Sequence, residues 1–122
     1  MRKSTAQNQA RNQAEILDAV FGALADVTRR SILDRLRGGA LTVSELAEPY
    51  RMSLNAVSKH IKTLEKAGLV SREIQGREHS CRLETARFEN AMNWMSYYTR
   101  FWSVRLDALE EHVVNKRRRA RQ

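Results

Sequence analysis

From Ala14 the apolar positions Ile16, Leu17, Val20, Phe21 and Leu24 recur at the spacing of one helix face. Asp26 follows as an N-cap, since its carboxylate can accept from the free N–H groups of the next turn. It predicts a second helix that turns Val27, Ile32, Leu33 and Leu36 inward and stops at Gly38-Gly39. Thr42-Val43-Ser44-Glu45 has the capping-box pattern, so a short helix over Val43 to Ala47 is expected, limited by Pro49. Ser53 caps a fourth helix over Leu54 to Ala67, with Val57, Ile61 and Leu64 on one side and Gly68 at its end.

The period then changes. Leu69 to Ile74 alternates as a strand, Gln75-Gly76-Arg77 reads as a turn, and Glu78 to Leu83 reads as the return strand. A long helix is expected from Thr85 to Asn115, carrying Phe88, Met92, Met95, Tyr98, Trp102, Leu106, Leu109 and Val113. The order is α-α-(short β)-α-α-β-β-α. That is a mostly α fold with a β-hairpin wing, the winged helix-turn-helix arrangement.

On a helical wheel of residues 54–67, Asn55, Ser58, Lys59 and Lys62 project opposite the buried stripe, and no acid interrupts them. An amide can pair with an adenine edge in the major groove of DNA, and hydroxyl and ammonium groups can contact bases or phosphates. The helix start at Ser53 presents its positive dipole end to an anion. Arg72 and Arg77 on the hairpin are placed to reach an adjacent groove or backbone. Thr28, Arg29 and Arg30, near the start of the second helix, are candidates for a phosphate clamp. Double-stranded DNA is therefore the expected partner.

Charge supports this. The 122 residues hold 22 Lys and Arg against 14 Asp and Glu, a net +8. All the excess lies outside the body: Arg2, Lys3 and Arg11 near the start, and Lys116, Arg117, Arg118, Arg119 and Arg121 at the end. Within the body, residues 51–82 carry 7 basic against 3 acidic residues, a basic segment suited to a polyanion. The reading is a disordered polar tail over 1–13, one domain over 14–115, and a basic tail over 116–122. The tails are either solvated ends or polyanion contacts.

Six of the eight aromatic residues (Phe88, Trp94, Tyr97, Tyr98, Phe101 and Trp102) fall in the last helix. One apolar stripe docks a helix on its own core, and a second face needs another partner. A homodimer through the first and last helices is expected, with Ile16, Leu17, Val20, Trp94, Tyr97, Tyr98, Phe101 and Trp102 at the interface. Its two reading helices would then lie ~34–36 Å apart, one turn of DNA.

Other chemistry is sparse. One cysteine excludes an internal disulfide, and the short apolar runs leave no membrane span. No secretory signal is apparent in the first residues, so a reducing, cytoplasmic setting is expected. His79 and Cys81 share a strand face, half of a metal site or a redox thiol. His60 reads as a packing residue or a phosphate contact, and His112 as a surface residue. No nucleophile elbow, phosphate loop or zinc-protease motif is present, so neither an enzyme nor a cofactor is expected.

The residues also resemble a known family. Leu24-Ala25-Asp26-Val27-Thr28-Arg29-Arg30-Ser31-Ile32-Leu33 is similar to the opening of the ArsR/SmtB transcriptional repressors. Thr42 to Ala47 and Asn55 to Leu64 resemble that family's helix-turn-helix, Lys66-Ala67-Gly68-Leu69-Val70 its helix-to-wing junction, and Gly76-Arg77 its wing turn. The resemblance spans roughly residues 16–83. It implies a homodimeric winged-helix repressor that binds an inverted-repeat operator.

The metal-sensing members carry Cys-x-Cys in the third helix, where this chain has Glu45-Leu46-Ala47-Glu48-Pro49-Tyr50. Asp107, Glu110, Glu111 and His112 do not match the ligand spacing of the last helix in other members. The aromatic last helix resembles the subgroup without metal ligands, and the effector is left open. Two alternatives stand beside this reading. One is a metal- or thiol-responsive repressor using Cys81 and His79. The other is a protein-interaction module acting through the last helix.

Overall fold

The computed structural model of the protein describes residues 5–121. Five helices, α1 (Thr5–Leu24), α2 (Val27–Leu36), α3 (Val43–Ala47), α4 (Leu54–Lys66) and α5 (Ala86–Ala120), combine with three strands, β1 (Leu41–Thr42), β2 (Val70–Gln75) and β3 (Glu78–Leu83). The predicted order is present. The strands form one antiparallel sheet in the order β1-β3-β2, with Leu41 opposite Cys81 and Arg72 opposite Cys81 from the other side.

Local caps set the element boundaries. Asp26 accepts from the Arg29 N–H at 3.0 Å, and that hydrogen bond is the main cause that holds its carboxyl below the usual carboxylate value. Thr42 and Glu45 form the reciprocal capping box at the start of α3. Ser53 Oγ accepts from the Ala56 N–H at 3.1 Å.

The end of α4 is a Schellman motif. Leu69 N–H bonds Leu64 C=O at 3.0 Å and Gly68 N–H bonds Glu65 C=O at 2.9 Å. Leu64 and Leu69, the hydrophobic pair of that motif, are both fully buried. Gly68 has φ +75°, and a Cβ there would lie 2.7 Å from Arg87 Cγ. Gly68→Ala is expected to cost about 1–2 kcal/mol from the left-handed backbone alone, measured as a lower denaturation midpoint. An unchanged midpoint would show that this turn does not fix the α4–β2 junction.

The chain divides into two compact units after Ala91. The first unit holds the core: Val20 and Ala23 of α1, Ile32, Leu33 and Leu36 of α2, Leu46 of α3, Val57, Ile61 and Leu64 of α4, then Leu69, Val70, Cys81 and Ala91. Each of the four helices before the wing contributes one apolar stripe to it. The second unit, from Met92, is the remainder of α5, a single helix with no second element with which to build a core.

Several boundaries differ from the sequence reading. The structure has α1 beginning at Thr5 rather than Ala14, so the described part of the expected disordered tail is helical. Its Ala, Gln and Arg residues are good helix formers that extend an existing helix without any apolar face. Residues 1–4 of that tail lie outside the described residues. α5 runs to Ala120 rather than Asn115. Lys116 to Arg119 sit at the negative end of its dipole, where cations are favourable. Val27, expected inward, is 71% exposed, because the N-cap places it at the first position of α2, ahead of the turn that faces the core.

Candidate nucleic-acid interface

Three buried residues seat α4 in the core, and this leaves the opposite side outward. Asn55, Lys59 and Lys62 are exposed and Ser58 is half-buried. Neither lysine enters an ion pair among the described residues. Glu65, the first acid after this row along the chain, is ion-paired with Arg72 at 2.7 Å. The outward row therefore presents uncompensated positive charge and an amide, beginning at the capped helix N-terminus. Ser53 is exposed at that cap.

The support behind α4 comes from arginines of α2. Arg29 Nε donates to Ala23 C=O at 2.7 Å and Nη2 to Gly22 C=O at 3.1 Å. Its Nη1 lies 3.1 Å from His60 Nδ1. Arg30 Nη1 donates to Leu24 C=O at 2.6 Å. These carbonyls belong to the last turn of α1, where Gly22 C=O also accepts from the Ala25 N–H at 3.3 Å, and α1 has no basic residue in its own last turn. Arg35 does the same for α3, donating to Leu46 C=O at 2.7 Å and Glu45 C=O at 2.8 Å.

The expected phosphate clamp is thus corrected for Arg29. Its guanidinium joins α1, α2 and α4, and helix-end acceptors hold it more firmly than solvent would. Arg30 keeps an exposed side while binding Leu24, and Thr28 is half-buried in the same turn. His60, half-buried between Arg29 and Asp26 (3.9 Å), is a packing residue of this junction. The missing basic residue at the end of α1 was the sequence signal for this role.

At the wing, Arg77 is exposed beside Gly76, whose φ is +64°. Arg72 is a second correction. Its side chain is 15% exposed, paired with Glu65 and 3.3 Å from His79 Nδ1. Strand alternation points it to the α4 side of the sheet, where it joins wing to helix instead of reaching outward. Arg82, on the other face, is exposed.

Cys81 is fully buried on the Arg72 face, and burial pushes its thiol pKa up. That environment suppresses the reactive thiolate. Among the described residues no three of His, Cys, Asp and Glu group as a metal site. Asp107, Glu110, Glu111 and His112 are exposed on α5. No described helix is long and apolar enough to cross a membrane.

The expected interface residues divide. Val20 is fully buried and belongs to the core of its own chain, because its turn of α1 faces inward. Ile16 and Leu17 are partly buried against the same core. On α5, Trp94 (47%), Tyr97 (75%), Tyr98 (50%), Phe101 (53%) and Trp102 (61%) are exposed. Their ring contacts lie along the helix itself, such as Trp94 with Tyr98 at 4.9 Å and Phe101 with Arg105 at 4.8 Å. Met92, Met95, Leu106, Leu109 and Val113 are exposed as well.

Comparison with known proteins agrees with this geometry. Residues 24–73 match the helix-turn-helix domain family, a segment that carries α2 through α4 and the start of the wing. The chain is 35% identical over 79 residues to the transcriptional repressor SdpR of Bacillus subtilis, covering 65% of this chain and 88% of that protein. It superposes on the crystal structure of an ArsR family transcriptional regulator with a TM-score of 0.70 and 41% identity, over 74% of this chain and 93% of the other. The protein belongs to the ArsR family of transcriptional regulators.

The homodimeric winged helix-turn-helix DNA-binding domain Mb0332 from Mycobacterium bovis shares its fold, with a TM-score of 0.58 at 24% identity over 81% of this chain and 91% of that one. In this ArsR-family regulator the matched segment contains the whole outward row of α4. The matched segment ends at Glu73, before the wing turn and the aromatic helix.

Proposed function

We propose that this regulator is a homodimeric repressor that binds an inverted-repeat operator, with α4 in the major groove and the wing beside it. The observation that carries the reading is the acid-free outward row of Asn55, Ser58, Lys59 and Lys62 on a helix whose other side is fully buried. Lysines supply affinity by releasing counterions from the phosphates, and Asn55 supplies base preference. Ser53 and Arg77 anchor the backbone at the helix start and the wing tip, with Arg30 and Thr28 at the flank. SdpR carries the name of a repressor, which supports the same sign of regulation here.

Dimerisation rests on α5. A contiguous apolar surface this large on one helix is the mark of an interface, and a second copy supplies an identical surface. A protein of this function works in the cytoplasm, on DNA, and needs no catalytic group or cofactor. The buried thiol of Cys81 and the engagement of His79 by Arg72 give the metal- or thiol-responsive alternative no support.

Selection of bound fragments from random duplexes tests this directly. The expected result is a two-fold symmetric site with half-sites about 10–10.5 base pairs apart. Asn55→Ala should then lower discrimination between that site and random DNA by about 1–3 kcal/mol. Arg77→Ala should weaken both kinds of DNA alike and flatten the salt slope by about one unit. An unchanged discrimination ratio for Asn55→Ala would remove α4 as the reader.

A further inference from the structure

Past Arg72 the wing leaves the core. Every residue from Glu73 to Glu78 is exposed, and the outermost residues of the hairpin that are partly covered are Arg72 on β2 and His79 on β3. Where the exposed tip goes is therefore set by how those two are held. Arg72 holds both ends. Its Nη2 meets Glu65 Oε1, in the last turn of α4, at 2.7 Å, and its Nη1 lies 3.3 Å from His79 Nδ1. One guanidinium spans α4, β2 and β3.

Stability does not explain an arginine here. Its Nε is buried without a hydrogen-bond partner among the described residues. A buried ion pair costs desolvation that well-packed apolar side chains of similar volume avoid. Val70 and Cys81, on the same face of the sheet, are apolar and buried, so an aliphatic residue would suit the site as well. What it would lack is direction. Apolar contact is non-directional, whereas N–H donors aimed at a carboxylate fix a separation and an angle.

We infer that Arg72 and Glu65 are positioning residues of the DNA interface: they lock the wing to the end of α4, so that Arg77 at the tip reaches the duplex whose groove α4 occupies. Three residues of strand, about 10 Å, separate Arg72 from the turn, and a small rotation at the anchor is magnified at Arg77. The inference rests on the placement of α4 and the wing on DNA proposed above, and it gives a part in binding to two residues that contact each other rather than the DNA.

The test measures the effect of Arg77→Ala in two backgrounds of the full-length protein, the wild type and Glu65→Met with Arg72→Met. The duplex selected from the random pool is titrated at several salt concentrations. The double substitution removes one charge of each sign, so the net charge and the outward row of α4 are unchanged. Thermal unfolding followed by circular dichroism should place its midpoint no lower than the wild type's. In the wild type Arg77→Ala should flatten the salt slope by about one unit. In the double variant it should change the slope by less than about half of that, because the tip no longer holds Arg77 at a phosphate. Should the double variant not fold, Glu65→Ala, at a helix position that alanine suits, should show the same loss of the Arg77 effect.

The inference is overturned if Arg77→Ala flattens the slope as much in the folded variant as in the wild type; the pair then serves the fold alone. Failure of the DNA reading looks different. In that case Arg77→Ala leaves the wild-type slope unchanged, or no duplex binds with salt dependence at all, and the inference falls with the reading.

Discussion

Lys59→Gln together with Lys62→Gln is expected to flatten the dependence of DNA affinity on salt by about two units for each reading helix. Both ammonium groups are on the outward side of α4, and neither is held by an acid among the described residues. Their charge is available to phosphates, and a phosphate that no longer meets an ammonium group keeps close to one counterion on the duplex. In a dimer the change is doubled. Affinity at physiological salt should fall by about an order of magnitude or more, for operator and random DNA together. Stability should stay within about 0.5 kcal/mol of the wild type, as for surface substitutions generally. Titrations at several salt concentrations measure the slope. A variant with the wild-type slope would place the phosphates elsewhere.

Trp102→Ala should act on assembly and leave the folded chain alone. Its side chain is 61% exposed, and its ring contact is with its neighbour Phe101 at 6.4 Å. Truncation therefore removes little from the chain's own packing. At an interface a buried tryptophan is the residue type with the largest effect, about 2 kcal/mol or more, or roughly 30-fold in dissociation constant. Sedimentation over a concentration series should show the variant dissociating at concentrations where the wild type stays paired, with unchanged helix content. Since an inverted repeat needs both reading helices, operator affinity should fall with it. A wild type that is monomeric at micromolar concentration would remove the two-fold argument altogether.

Much of this architecture was legible in the residues. Caps are local: Asp26, Thr42 with Glu45, and Ser53 each act on the three residues that follow, and all three form as written. The stripe of Val57, Ile61 and Leu64 follows from helical period, so the outward row opposite it follows too. The helix ends were less legible. The apolar period is silent over Thr5 to Gln13 and Lys116 to Ala120, where propensity and charge at the helix end extend helices that have no face to bury.

The order of elements, the capped helix α4 and its acid-free side all follow from the residues alone, because each depends on neighbours a few positions along the chain. Which arginines are free was settled by the packing of distant segments. Arg29 meets carbonyls of another helix and a histidine 31 positions away, Arg72 meets Glu65 across the sheet-to-helix contact, and Arg77 stays exposed at the wing tip. A guanidinium is identical in all three places. What differs is whether folding brings it an acceptor in a partly dry site, where a charge-assisted hydrogen bond is worth more than hydration, and the one-dimensional pattern does not record such encounters.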